Sequence, residues 1–271
     1  MTDKNRVVVV EDDPYTRDQL LNLLSRDWRT RVVGEFDSFS KKAFQDFVCD
    51  ENNNYNAVIL DTEVPWNPNW PIEAFEIIRA LEKPPKLIFL CTLPLARYWN
   101  DILLDYDFYG GYLAKQEILY SIPAAVAMTT QGYIVSTESV QNLRSPFHTR
   151  KNMVVVDGTK AFHGFTHREQ EVLRLGILFS LSHRDIEDEL VISRDWISEV
   201  LGSIYDKLSI KDILSGEIPL ESIFTDEAVL LRAQQILEKY QAQSSGKNLR
   251  KTPWLSTLAF HILTTPEIRA I

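Results

Sequence analysis

Apolar residues in this chain follow two different rhythms. In the first half they form short unbroken runs at Val7–Val10, Ala57–Leu60 and Leu87–Cys91. Runs of that length fit strands buried on both faces of a parallel sheet. Val32–Phe36 and Tyr112–Lys115 are two further strand-like runs. Between the strands the spacing turns helical. Leu20, Leu21, Leu23 and Leu24 follow Pro14, Ala43–Val48 makes a second helix, and Ile72–Leu81 a third that Lys83-Pro84-Pro85 stops. Tyr98–Leu104 reads as a weak helix, and Ile118–Thr129 as one that Pro123 breaks or kinks. Five strand–helix repeats over residues 1–130 predict an α/β doubly wound (βα)5 domain.

From residue 131 the pattern weakens. Gly132–Val135 and Met153–Val156 are strand-like, with turns at Ser145-Pro146 and Asp157-Gly158. Residues 131–162 read as a connector too apolar for a flexible tether. Thr166, followed three residues later by Glu169, then opens a capped helix. A second helix runs from Leu181 to Leu190, and Ser193 caps a third through Leu208. Two short helices around a tight turn predict an all-α helix-turn-helix domain over 163–212. Residues 213–271 form an extension with extra C-terminal helices: Thr225–Tyr240, a polar linker over Gln241–Lys251, and Trp254–Leu263 before Pro266.

Several strands end in reactive groups. Asp61 closes the third, where open α/β sheets place their chemistry, although an aspartate there also begins turns. Val10 runs into Glu11, Asp12 and Asp13, whose adjacent carboxylates make a hard-oxygen site suited to Mg²⁺. Thr92 and Lys115 close the fourth and fifth strands. Acid, acid, hydroxyl and amine in that order resemble the receiver domain of bacterial two-component response regulators, over roughly residues 5–130. The resemblance implies that Asp61 is the phosphoacceptor for a histidine kinase. It implies a Mg²⁺ site of Glu11, Asp12, Asp61 and the backbone carbonyl of Glu63, with Asp12 the more direct acid and Asp13 a helix-start residue. It also makes Lys115 a phosphate partner, Thr92 the switch hydroxyl and Tyr112 the switch aromatic. Two features depart from the family: Leu93 follows Thr92 where a small residue is usual, and the Trp66–Pro71 loop is long and lacks a glycine.

The Phe165–Leu173 stretch, with Ile192-Ser193, Ile204-Tyr205 and Lys207-Leu208, resembles the LuxR/NarL-type DNA-binding domain. This implies DNA as a partner, with Arg184, Arg194, Ser198, Glu199 and Lys207 as contact candidates. Charge changes that picture. Over 163–212 ten acids outnumber six bases, and the whole chain carries a formal charge of -9. Nucleic-acid binding therefore has to come from a local patch. Glu199 faces phosphates badly, and the partly apolar extension motivates an alternative in which these helices bind a protein instead of DNA.

Two cysteines, Cys49 and Cys91, and no run of transmembrane length point to a cytoplasmic protein with no membrane partner. The expectation is a phosphorylation-controlled regulator rather than an enzyme. It forms a homodimer, if at all, through the receiver or the C-terminal helices.

Overall fold

The computed structural model describes residues 4–64, 67–92, 103–143, 152–243 and 253–271. Trp66, Leu93, the Ser145-Pro146 turn and most of the Tyr98–Leu104 helix lie outside them, as does most of the polar linker. The chain divides into two compact units. One runs to Thr159 and takes in Pro266–Ile271; the other is Lys160–Thr265.

The first unit is built on one sheet of eight strands. They are β1 (Asn5–Val10), β2 (Thr30–Phe36), β3 (Ala57–Asp61), β4 (Lys86–Cys91), β5 (Tyr109–Ala114), β6 (Ile134–Ser136), β7 (Met153–Asp157) and β8 (Glu267–Ala270). Their order across the sheet is β2-β1-β3-β4-β5-β6-β7-β8. Every neighbouring pair is parallel except β7 with β8. All five residues of β3 are buried, as are the four valines of β1. Full burial explains why these strands read as unbroken apolar runs rather than alternating ones.

The sheet does not stop near residue 130. The segment read as a connector contributes β6 and β7, and the extension returns its last stretch as β8. Gly111 makes the first addition possible. It pairs with Val135 of β6, and a Cβ built on it would lie 2.2 Å from the Val135 carbonyl oxygen. Only a residue without a side chain lets β6 come that close.

Helices cover the sheet where the sequence places them. Pro14–Arg26 is capped by Asp13, whose side chain accepts from the Thr16 amide, so Asp13 is a helix-start residue. Lys41–Cys49 and Trp70–Arg79 follow. Pro123 does not break a helix running from Ile118. It sits in the first turn of Ile122–Thr130, where its missing N–H costs nothing. The preceding turns, Lys115–Ile118 and Leu119–Ser121, are separate short pieces.

The second unit is helical, with helices where the sequence predicts them. Thr166 and Glu169 form a capping box on His167–Leu173, which continues as a π-helical turn over Arg174–Leu178. Ser182 and Asp185 cap His183–Leu190 in the same way, and Ser193 caps Arg194–Lys207. Ile186, Ile197 and Ile204 are fully buried between these helices. The turn between the last two passes through Val191 in the left-handed conformation, φ 55°. Ile210–Ser215, Glu227–Gln243 and Pro253–Leu263 complete the unit.

Candidate functional site

The parallel strands bring Glu11, Asp61, Thr92 and Lys115 to one end of the sheet. An open cleft of about 510 Å³ lies there, lined by Glu11, Asp12, Asp61, Glu63, Thr92 and Lys115, among others. Asp61 ends β3 and Glu11 follows β1, so adjacent strands present two acids side by side. Lys115 follows β5 and reaches back between them. Its Nζ lies 2.9 Å from Oε2 of Glu11 and 3.0 Å from Oδ1 of Asp61.

The electrostatics of this trio are unbalanced. Both acids are buried, at 1% exposed for Glu11 and 3% for Asp61, and they share one ammonium. Burial, and next the charge of Asp61, push the Glu11 carboxyl up to about 8, with Lys115 opposing the rise. For Lys115 burial works against the charge, but the Glu11 and Asp61 carboxylates outweigh it and hold the ammonium above its ordinary range. Apart from the ion pair with Lys115, Glu11 Oε2 meets no hydrogen-bond donor. A buried acid pair that shares one ammonium carries surplus negative charge and suits a hard cation by its donor chemistry.

Asp12, the acid expected to be the more direct ligand, lines the same cleft. Its two oxygens accept from the Ser38 amide at 2.6 Å and the Ser38 hydroxyl at 2.7 Å. Glu11, not Asp12, faces Asp61. Among the described residues no three acidic, histidine or cysteine side chains converge on one point as a ready metal cage. The backbone of Glu63 touches the site through its amide, which donates to Asp61 Oδ1 at 3.1 Å.

Thr92 is exposed on the cleft wall. Tyr112 does not line this cleft and is 1% exposed within the sheet, edge-on to Phe89 with ring centroids 6.2 Å apart. Tyr112 and Phe89 also line a small apolar cavity of about 100 Å³ with Thr62 and Leu103. Ser38 and Thr137, which hold the residues around the site, have no local sequence signal. Each is an ordinary hydroxyl residue whose partner lies more than twenty positions away.

In the helical unit the five contact candidates separate. Lys207 donates to Glu169 Oε2 at 2.7 Å and to the Gly164 carbonyl at 3.2 Å, and its ammonium lies 5.5 Å from the Phe165 ring centroid. Arg194 pairs with Glu187 at 2.6 Å. Arg184 and Glu199 are exposed, and Ser198 is half-buried. Lys207 thus ties the end of its helix to the capping box of the first helix.

No family model matches the chain. It is 24% identical over 208 residues to the Fimbriae Z protein of Salmonella typhimurium strain LT2, an alignment covering 77% of this chain and 92% of that protein. Solved structures that match include a two-component response regulator RcsB–DNA complex, at 21% identity over 86% of this chain and 98% of that one, with a TM-score of 0.43. Another is the isolated REC domain of RcsB from Salmonella enterica serovar Typhimurium with the phosphomimetic BeF3-, at 22% identity, 53% and 100% coverage and a TM-score of 0.42. The chain is therefore similar in sequence to a fimbrial protein and, among solved structures, to those of RcsB response regulators.

Proposed function

We propose that this chain is a response regulator in which Asp61 accepts a phosphoryl group from a histidine kinase and the helix-turn-helix unit acts on DNA. The observation that carries the first part is the convergence of Glu11, Asp61 and Lys115 within about 3 Å at the C-terminal end of a parallel sheet. A carboxylate in that position attacks the phosphorus of a phosphohistidine, the P–N bond breaks, and the imidazole leaves. Lys115 holds one phosphate oxygen as a point charge, and the Thr92 hydroxyl on the same cleft wall donates to another. Glu11, Asp12, Asp61 and the Glu63 carbonyl would hold Mg²⁺, which offsets charge on the incoming phosphoryl group.

Phosphoramidate and Mg²⁺, followed by intact mass measurement, test this part. The expected result is one acid-labile phosphate, absent in Asp61→Asn. A wild-type protein that gains none sinks the phosphoacceptor.

The DNA part rests on the helix-turn-helix geometry and on similarity to proteins of which DNA complexes are known. A second reading, a protein partner in place of DNA, is favoured by the ion pairs of Arg194 and Lys207 and by the exposed Glu199. Gel-shift at low salt, with phosphorylated and unphosphorylated full-length protein, separates the two. No shift in either state leaves only the protein partner.

A further inference from the structure

Lys115 has a long side chain with four rotatable bonds, and ion pairs at its tip do not fix its backbone. The β5 ladder ends one residue earlier, at the pairing of Cys91 with Ala114. Beyond the ladder its own turn holds it, with the Leu119 amide donating to the Lys115 carbonyl. Two further contacts brace that turn, one on either side, and both come from the stretch beyond the five-strand core.

On the upstream side the Ala114 amide donates to the Thr137 hydroxyl oxygen at 3.0 Å. Both residues are buried, Thr137 completely, so that amide has no access to water as a substitute. Thr137 is carried there by β6, which pairs with β5 through Gly111–Val135 and Tyr112–Ser136. On the downstream side the Glu117 carbonyl accepts from the Gly158 amide at 2.8 Å. The Glu117 carboxylate also accepts from the Ser139 amide at 3.2 Å. Gly158 follows β7 and packs closely. A Cβ there would lie 2.9 Å from the Ser121 hydroxyl oxygen and 3.1 Å from the Glu117 carbonyl oxygen.

We propose that Thr137 and Gly158 are positioning residues for Lys115, so that β6 and β7 serve as a frame for the phosphate-binding lysine. This rests on the reading of Asp61 as phosphoacceptor. Neither residue touches the phosphoryl group. Each acts by holding the turn from which the ammonium reaches Glu11 and Asp61.

The test is the rate of phosphoramidate-driven phosphorylation of the full chain, read by intact mass over a range of donor concentrations. Thr137→Val keeps the shape and removes the acceptor. Its maximal rate should fall about ten- to a hundredfold, the scale expected for a misplaced catalytic-site group, with the half-saturating donor concentration little changed. Thr137→Ser, which restores the oxygen, should recover most of the rate. Gly158→Ala should slow the reaction in the same way and carries the test if Thr137→Val does not fold. Folded variants that melt earlier but keep the wild-type maximal rate overturn the positioning role and leave the phosphoacceptor standing. A slow Thr137→Ser overturns it too. A wild-type chain that gains no phosphate overturns both.

Discussion

Lys207, near the end of the third helix of the helix-turn-helix unit, donates to Glu169, the residue that closes the capping box of the first helix, across 2.7 Å. Glu169 is already engaged by the Thr166 amide at 2.8 Å and by the Ser203 hydroxyl at 3.1 Å. The Lys207 hydrogen bond, then those of Thr166 and Ser203, hold the Glu169 carboxyl down at about 2. A depressed carboxyl contributes stability that is fully present above its unfolded pKa near 4.5 and is lost as pH falls from there through about 2. Lys207→Met should cost about 1–2 kcal/mol at neutral pH, a charged hydrogen bond discounted for the partial exposure of the lysine. It should also flatten stability against pH on the acid side. Urea unfolding from pH 7 to 3 checks both; an unchanged acid limb would mean that the pair is not formed.

Arg184 is exposed at the start of the His183–Leu190 helix, while the nearby bases Arg194 and Lys207 are held in ion pairs. If the unit binds DNA, Arg184→Ala should weaken binding about equally across sequences and lower the salt slope by about 1. Titrations at several salt concentrations would show it. A slope that does not move assigns Arg184 to the surface.

Val191 adopts φ 55° at the end of the His183–Leu190 helix and is 88% exposed. A β-branched residue is strained in that conformation, and so much exposure leaves it little packing to offset the strain. Val191→Gly should raise stability by about 1 kcal/mol, measured as an upward shift of the urea midpoint of the helical unit.

Gly111→Ala should destabilise the sheet by about 3 kcal/mol, because the new methyl group meets the Val135 carbonyl and the strand cannot yield without losing the β5–β6 pairing. Loss of amide protection confined to Ile134–Ser136 would locate the damage. Unchanged melting would show that β6 does not lie where it is described.

The core strands and the acid–acid–amine trio were legible because each is a local signal: a buried run ending in a charged residue. Asp61 alone was ambiguous, and it took Glu11 and Lys115 to give it a chemical context. β6 and β7 were visible as apolar runs, but short runs do not state their partners, and weak patterning around Met153–Val156 disguised sheet as connector. β8 was illegible. Glu267–Ala270 alternates charged and apolar residues over only four positions, and its partner lies over a hundred residues earlier. The Lys207 ion pair is hidden in the same way: its acid, Glu169, lies 38 positions earlier and leaves no local signal. The Asp12–Ser38 hydrogen bonds, 26 positions apart, are hidden in the same way.

The antiparallel pairing of β7 with β8 closes the sheet around an insertion, since Lys160–Thr265 is made between those two neighbouring strands. During synthesis β7 emerges long before β8, and the whole helical unit is translated in the interval. The β7 edge must therefore wait unpaired while another unit folds, a period in which exposed strand edges invite misassembly. Slowing translation between residues 160 and 265 should raise the aggregated fraction of nascent chains; an unchanged fraction would mean that the waiting β7 edge does not invite misassembly.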